Sequence, residues 1–134
     1  MVNLKSLLKH HPSPKKTQKQ LHGTFGEVTA MHYLVDHGYE ILARNVRVGY
    51  GEIDIVARQD RTLVIVEVRT RYSDAFGPPE ESITPFKLKT LIRSSALYEH
   101  QLDERYEGMR IDLVAITMHG NKVANITHIK DITS

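Results

Sequence analysis

The apolar run Leu63-Val64-Ile65-Val66 continues into Glu67-Val68-Arg69. Read as a strand, it sends Leu63, Ile65, Glu67 and Arg69 to one face and Val64, Val66 and Val68 to the other. A carboxylate and a guanidinium therefore emerge side by side at the end of a buried strand. Burying either charge alone is costly, so each needs the other, a metal or a ligand; a structural ion pair at a sheet end would give the same pattern. Just upstream, Gly51-Glu52-Ile53-Asp54 adds two acids, read by alternation on the face opposite Ile53 and Ile55. Only a short turn separates the two runs, which predicts a hairpin with Asp54 brought near Glu67. Two carboxylates placed together repel unless a cation sits between them, and hard oxygen donors suit Mg²⁺ or Mn²⁺. Asp54 and Glu67 are the expected side-chain ligands, with the Val68 carbonyl a third. A metal there can orient and activate water and stabilise charge on a phosphodiester.

Glu27 is a fourth candidate, at the margin of an apolar helical stripe with Met31 and Leu34 at i+4 and i+7. A glutamate near a helix start is also stabilised by the helix dipole, with no further role needed. Basic residues surround the acids: Arg44, Arg47 and Arg71 on or beside strands, and Lys87 and Lys89 in the first turns of a helix whose N-terminus is itself an anion site. They can hold backbone phosphates around an acidic centre, or each can be solvated surface charge. None of the eight histidines forms a His-x-x-x-His pair with a carboxylate at zinc spacing. No glycine-rich phosphate loop and no Gly-x-Ser-x-Gly elbow occurs.

Helical spacing of Phe25, Val28, Met31, Leu34 and Val35 predicts a helix from about Thr17 or Gly23 to His37, closed by Gly38. Three strands follow, Tyr39 to Val48, Gly51 to Arg58 and Thr62 to Arg71; the third is apolar on both faces and belongs at the sheet centre. Residues 72–83 read as a loop. Thr84-Pro85 opens a second helix, cap and first residue, running to about Leu102. Met109 to Met118 and Lys122 to Ile132 are the closing strands. The expected fold class is α/β, a central mixed sheet flanked by helices in the order α-β-β-β-α-β-β.

The 134 residues suit one domain. Residues 1–20 read as a basic flexible tail ahead of a single domain over 21–134. Five lysines and no acid fall in residues 1–26, which leaves 13 basic against 16 acidic residues, a net of −3, in the remainder. Such an arm is either a solvated leader or a phosphate-holding one. Without cysteine there can be neither disulfides nor thiolate metal sites. No apolar run approaches the roughly 18 residues of a membrane helix, and no signal peptide is evident, so a cytoplasmic protein is expected.

Gly26-Glu27, Gly38-Tyr39, Ile41-Leu42-Ala43-Arg44-Asn45, Gly51-Glu52-Ile53-Asp54, Val66-Glu67-Val68-Arg69-Thr70-Arg71 and Arg110-Ile111-Asp112-Leu113-Val114 resemble the bacterial YraN-type uncharacterised family over about residues 22–131. That family resembles the Holliday-junction-resolvase-like branch of the restriction-endonuclease-like nucleases. The resemblance implies a restriction-endonuclease-like fold, metal ligation by Asp54 and Glu67, and a role for Glu27 as the helix glutamate. It places Arg69 where the superfamily has lysine. Arginine stays protonated and cannot be a general base, but it can grip a phosphate; the base is then activated water or Glu27. The implied function is a Mg²⁺- or Mn²⁺-dependent endonuclease-like protein that binds, and in one reading cleaves, structured or branched DNA. In the other it is a catalytically weak or inactive nucleic-acid-binding module of the same fold. Resolvase-like relatives suggest a homodimer by analogy alone.

Overall fold

A computed structural model of the chain describes residues 18–72 and 77–134. The expected basic tail falls largely on residues 1–17, outside the described residues. Helix α1 (Gln18–Asp36) leads into β1 (Glu40–Val48), β2 (Gly51–Gln59) and β3 (Thr62–Arg71). A 3₁₀ turn (Pro79–Ser82) precedes helix α2 (Pro85–Gln101), and β4 (Gly108–His119) and β5 (Lys122–Ile129) end the fold. The sheet order is β1-β2-β3-β4-β5. The pairs β1–β2, β2–β3 and β4–β5 are antiparallel, and β3–β4 is parallel, with α2 on the crossover. This is the predicted element order on a mixed sheet, with β3 at its centre.

Local chemistry explains the boundaries. Gly38 at φ +88° closes α1, where the Tyr39 amide donates back to the Leu34 carbonyl at 2.9 Å. Thr84 caps α2, its hydroxyl accepting the Lys87 amide at 3.1 Å, with Pro85 in the first turn. The last strand stops at Ile129, three residues short of its predicted end. Asp131 takes φ +55° there and its amide turns inward to the Asp112 carboxylate, 3.0 Å away. Among the described residues no helix is long and apolar enough to cross a membrane.

The sheet is apolar on both sides. One core layer sets Ala30, Met31 and Leu34 of α1 against Ile55, Val64, Val66, Val114 and Ile116. The other sets Leu91 of α2 against Val48, Ile53, Val56, Leu63 and Ile65. Fully burying side chains of this size stabilises by about 1.5–3 kcal/mol each. Gly26 lets α1 approach β3 closely, because a Cβ there would collide with the Thr70 hydroxyl.

Ile53 and Ile55 belong to opposite layers, which corrects the reading that put them on one face. Both strands of the hairpin turn over together. Arg44 pairs with Ile55 and Val46 with Ile53; between those pairs stand Asn45, at φ +52°, and Asp54. Asparagine tolerates this left-handed backbone, and one such residue rotates the chain so that the next pair of side chains faces the other layer.

Candidate metal and phosphate site

The turnover takes β2 away from β3. Their pairing runs from Gln59↔Thr62 only as far as Ile55↔Val66, while β3 continues to Arg71 beside β4. Beyond Val66 the β3 backbone lacks its ladder partner on that side, and such amides must be satisfied somehow. Asp54 does this with its side chain: the Val68 amide donates to Asp54 Oδ2 at 2.9 Å. The fork between the diverging strands thus holds Asp54, Glu67 and Val68 together, as the hairpin argument predicted.

Glu67 is almost wholly buried. Arg69 Nη2 lies 3.0 Å from its Oε2 and Lys87 Nζ lies 3.7 Å from the same oxygen. Asp54 stands within hydrogen-bonding reach on the other side. Burial, and then the Asp54 charge, push the Glu67 carboxyl up to about 8, outweighing the two cations. Two carboxyl groups in mutual contact need a proton or a cation between them.

Glu27 approaches the same centre from α1. Arg44 Nη2 lies 3.6 Å from its Oε2, and the Asn45 side chain hydrogen-bonds it. Burial and the Asp54 charge nonetheless hold Glu27 above the ordinary carboxylate range. The Asp54 charge therefore acts on both Glu27 and Glu67. The two helices deliver the flanking groups, Glu27 from one layer and Lys87 from the other.

The predicted phosphate-binding residues divide. Arg69 is about one-third exposed, and its buried Nε has no hydrogen-bond partner among the described residues. Lys87 is similarly half-open beside Glu67. Arg47 is exposed near the hairpin tip, across from Glu52. Arg44 is mostly buried on Glu27. Arg71 is turned into the protein, donating to the Gly77 carbonyl at 2.6 Å and to Thr117 Oγ1 at 3.4 Å. Internal contacts thus hold both Arg44 and Arg71.

The donor set fits a hard divalent ion in part. Asp54 and Glu67 offer two carboxylates already in contact, and Val68 brings its backbone to the same place. Among the described residues no three acidic or histidine side chains converge on one point. The Val68 carbonyl and water would have to complete the shell, as suits an ion that keeps several waters.

Sequence reasoning missed two features. Asn45 was readable as a residue that strands disfavour and the left-handed region accepts. The other is a second polar centre on the α1 side of β4. There the fully buried Asp112 accepts from His128 Nε2 at 2.8 Å, Arg110 Nε at 3.0 Å and the Asp131 amide at 3.0 Å. Arg110 also donates to the Tyr39 hydroxyl at 2.9 Å and to Gln59 Oε1 at 3.2 Å. The signal was a charge inside the apolar run Ile111–Ile116.

A sequence model of the uncharacterised protein family UPF0102 matches residues 26–116. A UPF0102 protein of Caldicellulosiruptor bescii is 46% identical over 113 residues, 81% of this chain and 93% of the relative. Those of Geotalea daltonii (40% identical, 87% and 91%) and Mycolicibacterium vanbaalenii (37%, 82% and 91%) are similar over nearly the same span. Among solved structures, a repair endonuclease from Pyrococcus abyssi aligns with a TM-score of 0.43 at 12% identity, over 80% of this chain and 41% of its own. SfsA of Pyrococcus furiosus in complex with Ca²⁺ aligns with a TM-score of 0.34 at 14% identity, over 84% and 63%. The chain spans less than two thirds of either structure's length.

Proposed function

This chain belongs to the uncharacterised protein family UPF0102, and we propose that it is a Mg²⁺- or Mn²⁺-dependent endonuclease-like protein of the restriction-endonuclease-like fold, acting on structured DNA. The observation that carries the reading is the Asp54–Glu67 pair, brought into contact at the fork of β2 and β3 with Glu67 almost wholly buried. Such an arrangement opposes stability, and perturbed acids of this kind gather at functional sites.

Asp54, Glu67 and the Val68 carbonyl would hold the ion. When bound, it would supply charge neutralisation at a phosphodiester and an activated water. The protein's own groups would do the rest. The Arg69 guanidinium, about one-third exposed, would grip a non-bridging phosphate oxygen and stabilise the charge that develops there. Lys87 would add a second positive charge at the start of α2, where the helix amides already favour an anion. Glu27, held above the ordinary carboxylate range by burial and the Asp54 charge, would be the residue to take a proton, whereas Arg69 cannot.

The test is cleavage of flap, four-way-junction and single-stranded DNA by purified protein with Mg²⁺ or Mn²⁺. Turnover should require metal and fall at least about 100-fold in Asp54→Ala and Glu67→Ala. Wild-type protein that cuts none of these with either metal would sink the enzymatic reading. Arg69 in place of a general base favours a second reading, a module that binds nucleic acid without turnover. Salt-sensitive binding in the absence of any metal-dependent cut would select it.

A further inference from the structure

Two aromatic side chains stand outside the protein beside the Glu67 layer. Tyr50, at the tip of the β1–β2 hairpin, is fully exposed, and Phe86, in the first turn of α2, is 80% exposed. The hairpin tip rests on α2. A Cβ on Gly51 would collide with the Ser94 hydroxyl, and one on Gly49 would come within 3.3 Å of Leu97 Cδ1. Phe86, Arg93 and Leu97 fall at i, i+7 and i+11, on one side of the helix. A ridge therefore runs from Phe86, next to Lys87 at the site, to Tyr50. The eleven helical rises from Phe86 to Leu97 span about 17 Å.

The charges along this ridge are mostly of one sign. Lys89 and Arg93 are exposed there, beside the half-open Lys87, while Arg47 and Glu52 alternate with Val48 and Ile53 and so face the other side of the hairpin. Exposed aromatic plates interleaved with cations match what an unpaired strand offers, base faces and phosphates in alternation. Duplex DNA hides its base faces in the stack. A second copy of this chain is a poorer occupant, because a two-fold contact through the ridge would set Lys89 and Arg93 against their own counterparts.

We propose, building on the phosphodiester site above, that this ridge is a stacking track for single-stranded nucleic acid. Tyr50 and Phe86 each stack a base, Lys89 and Arg93 hold the phosphates between, and the strand is led to Lys87 and Glu67. At the roughly 3.4 Å spacing of a stacked strand the track takes about five nucleotides. The substrate class is thereby a nucleic acid with an unpaired segment.

Fluorescence anisotropy of a labelled single-stranded 12-mer and of its duplex, titrated with the full chain in EDTA over a salt series, tests this. Tyr50→Ala and Phe86→Ala should each weaken single-strand binding by about fivefold to a hundredfold and leave duplex binding within about twofold. Tyr50→Phe should retain it. Arg93→Ala should lower the salt slope by about one phosphate on the single strand. Calorimetric Mn²⁺ titration, unchanged in both aromatic variants, controls for folding. Single-strand binding that the alanine variants leave intact, or a loss equal for strand and duplex, overturns the track. So does a dimer in sedimentation that Tyr50→Ala dissociates, and so does wild-type protein that binds no strand. A wild type that binds the strand through these aromatics yet never cleaves keeps the track and sinks only the nuclease reading.

Discussion

Glu67 and Asp112 are both buried carboxyls, on neighbouring strands and one register position apart, since Val66 pairs with Asp112 and Glu67 with Leu113. They face opposite layers of the sheet, and their surroundings drive them in opposite directions. Burial raises both. At Asp112 the hydrogen bonds from His128, the Asp131 amide and Arg110 overcome it and hold the carboxyl below its usual range. At Glu67 the cations fail to offset burial and the Asp54 charge, and the carboxyl rises to about 8. A buried charge that is fully paired serves the fold. A buried acid set against another acid works against the fold, and is the kind that a ligand must complete. One sheet thus contains a structural carboxylate and a candidate functional one, told apart by their partners and not by their burial.

The comparison breaks first at Asp112. Replacing it by alanine leaves Arg110 and the Asp131 amide without their acceptor inside the protein. Removing one partner of a buried charge pair costs about 3–5 kcal/mol, which for a domain of this size lowers Tm by at least about 10 °C. Scanning calorimetry checks it; a loss under about 1 kcal/mol would mean that the network is not what holds β4, β5 and α1 together.

Glu67→Gln should do the opposite. It removes the charge conflict and keeps the shape, so metal-free protein should gain about 0.5–2 kcal/mol while losing Mn²⁺ binding. The pH dependence sharpens the contrast. A carboxyl raised in the folded state contributes stability that is full below its unfolded pKa and is lost as pH rises through about 8. Wild type and Glu67→Gln should therefore be closest in stability near pH 4 and furthest apart above pH 8. Asp112, being lowered, contributes stability that is present above its unfolded pKa and lost as pH falls. Asp112→Asn should accordingly flatten the acid limb of urea-unfolding curves, and Glu67→Gln the alkaline limb. An alkaline limb unchanged by Glu67→Gln would show that the carboxyl pair is not under strain.

Much of this was legible in the sequence, for identifiable reasons. The element order follows from punctuation that acts locally, Gly38, Gly49-Tyr50-Gly51 and Thr84-Pro85. The central place of β3 follows from a run apolar on both faces. The pairing of Asp54 with Glu67 follows from a short turn. The turnover at Asn45 and Asp54 was not legible, because Ile53 and Ile55 are apolar whichever layer each enters, so alternation cannot register the switch. The Asp112 network was also hidden: its partners lie 16 residues away at His128 and, through Arg110, 71 residues away at Tyr39. Only the fold brings them together.

The smallest effect is expected at Asn45, and it bears on how the Glu67 centre is built. A residue with a Cβ costs roughly 1–2 kcal/mol in the left-handed region, a penalty that asparagine partly escapes. Asn45→Ala should then lose about 1 kcal/mol in urea unfolding, while Asn45→Gly, free of the Cβ, should lose only a few tenths. Both variants remove the hydrogen bond to Glu27, so Mn²⁺ titration separates two causes. If the backbone turnover is what carries Asp54 to Glu67, glycine preserves Mn²⁺ affinity and alanine weakens it. Equal weakening in both would assign the effect to the Asn45 side chain and its hold on Glu27, and the fork would owe its geometry to β3 and Val68 instead.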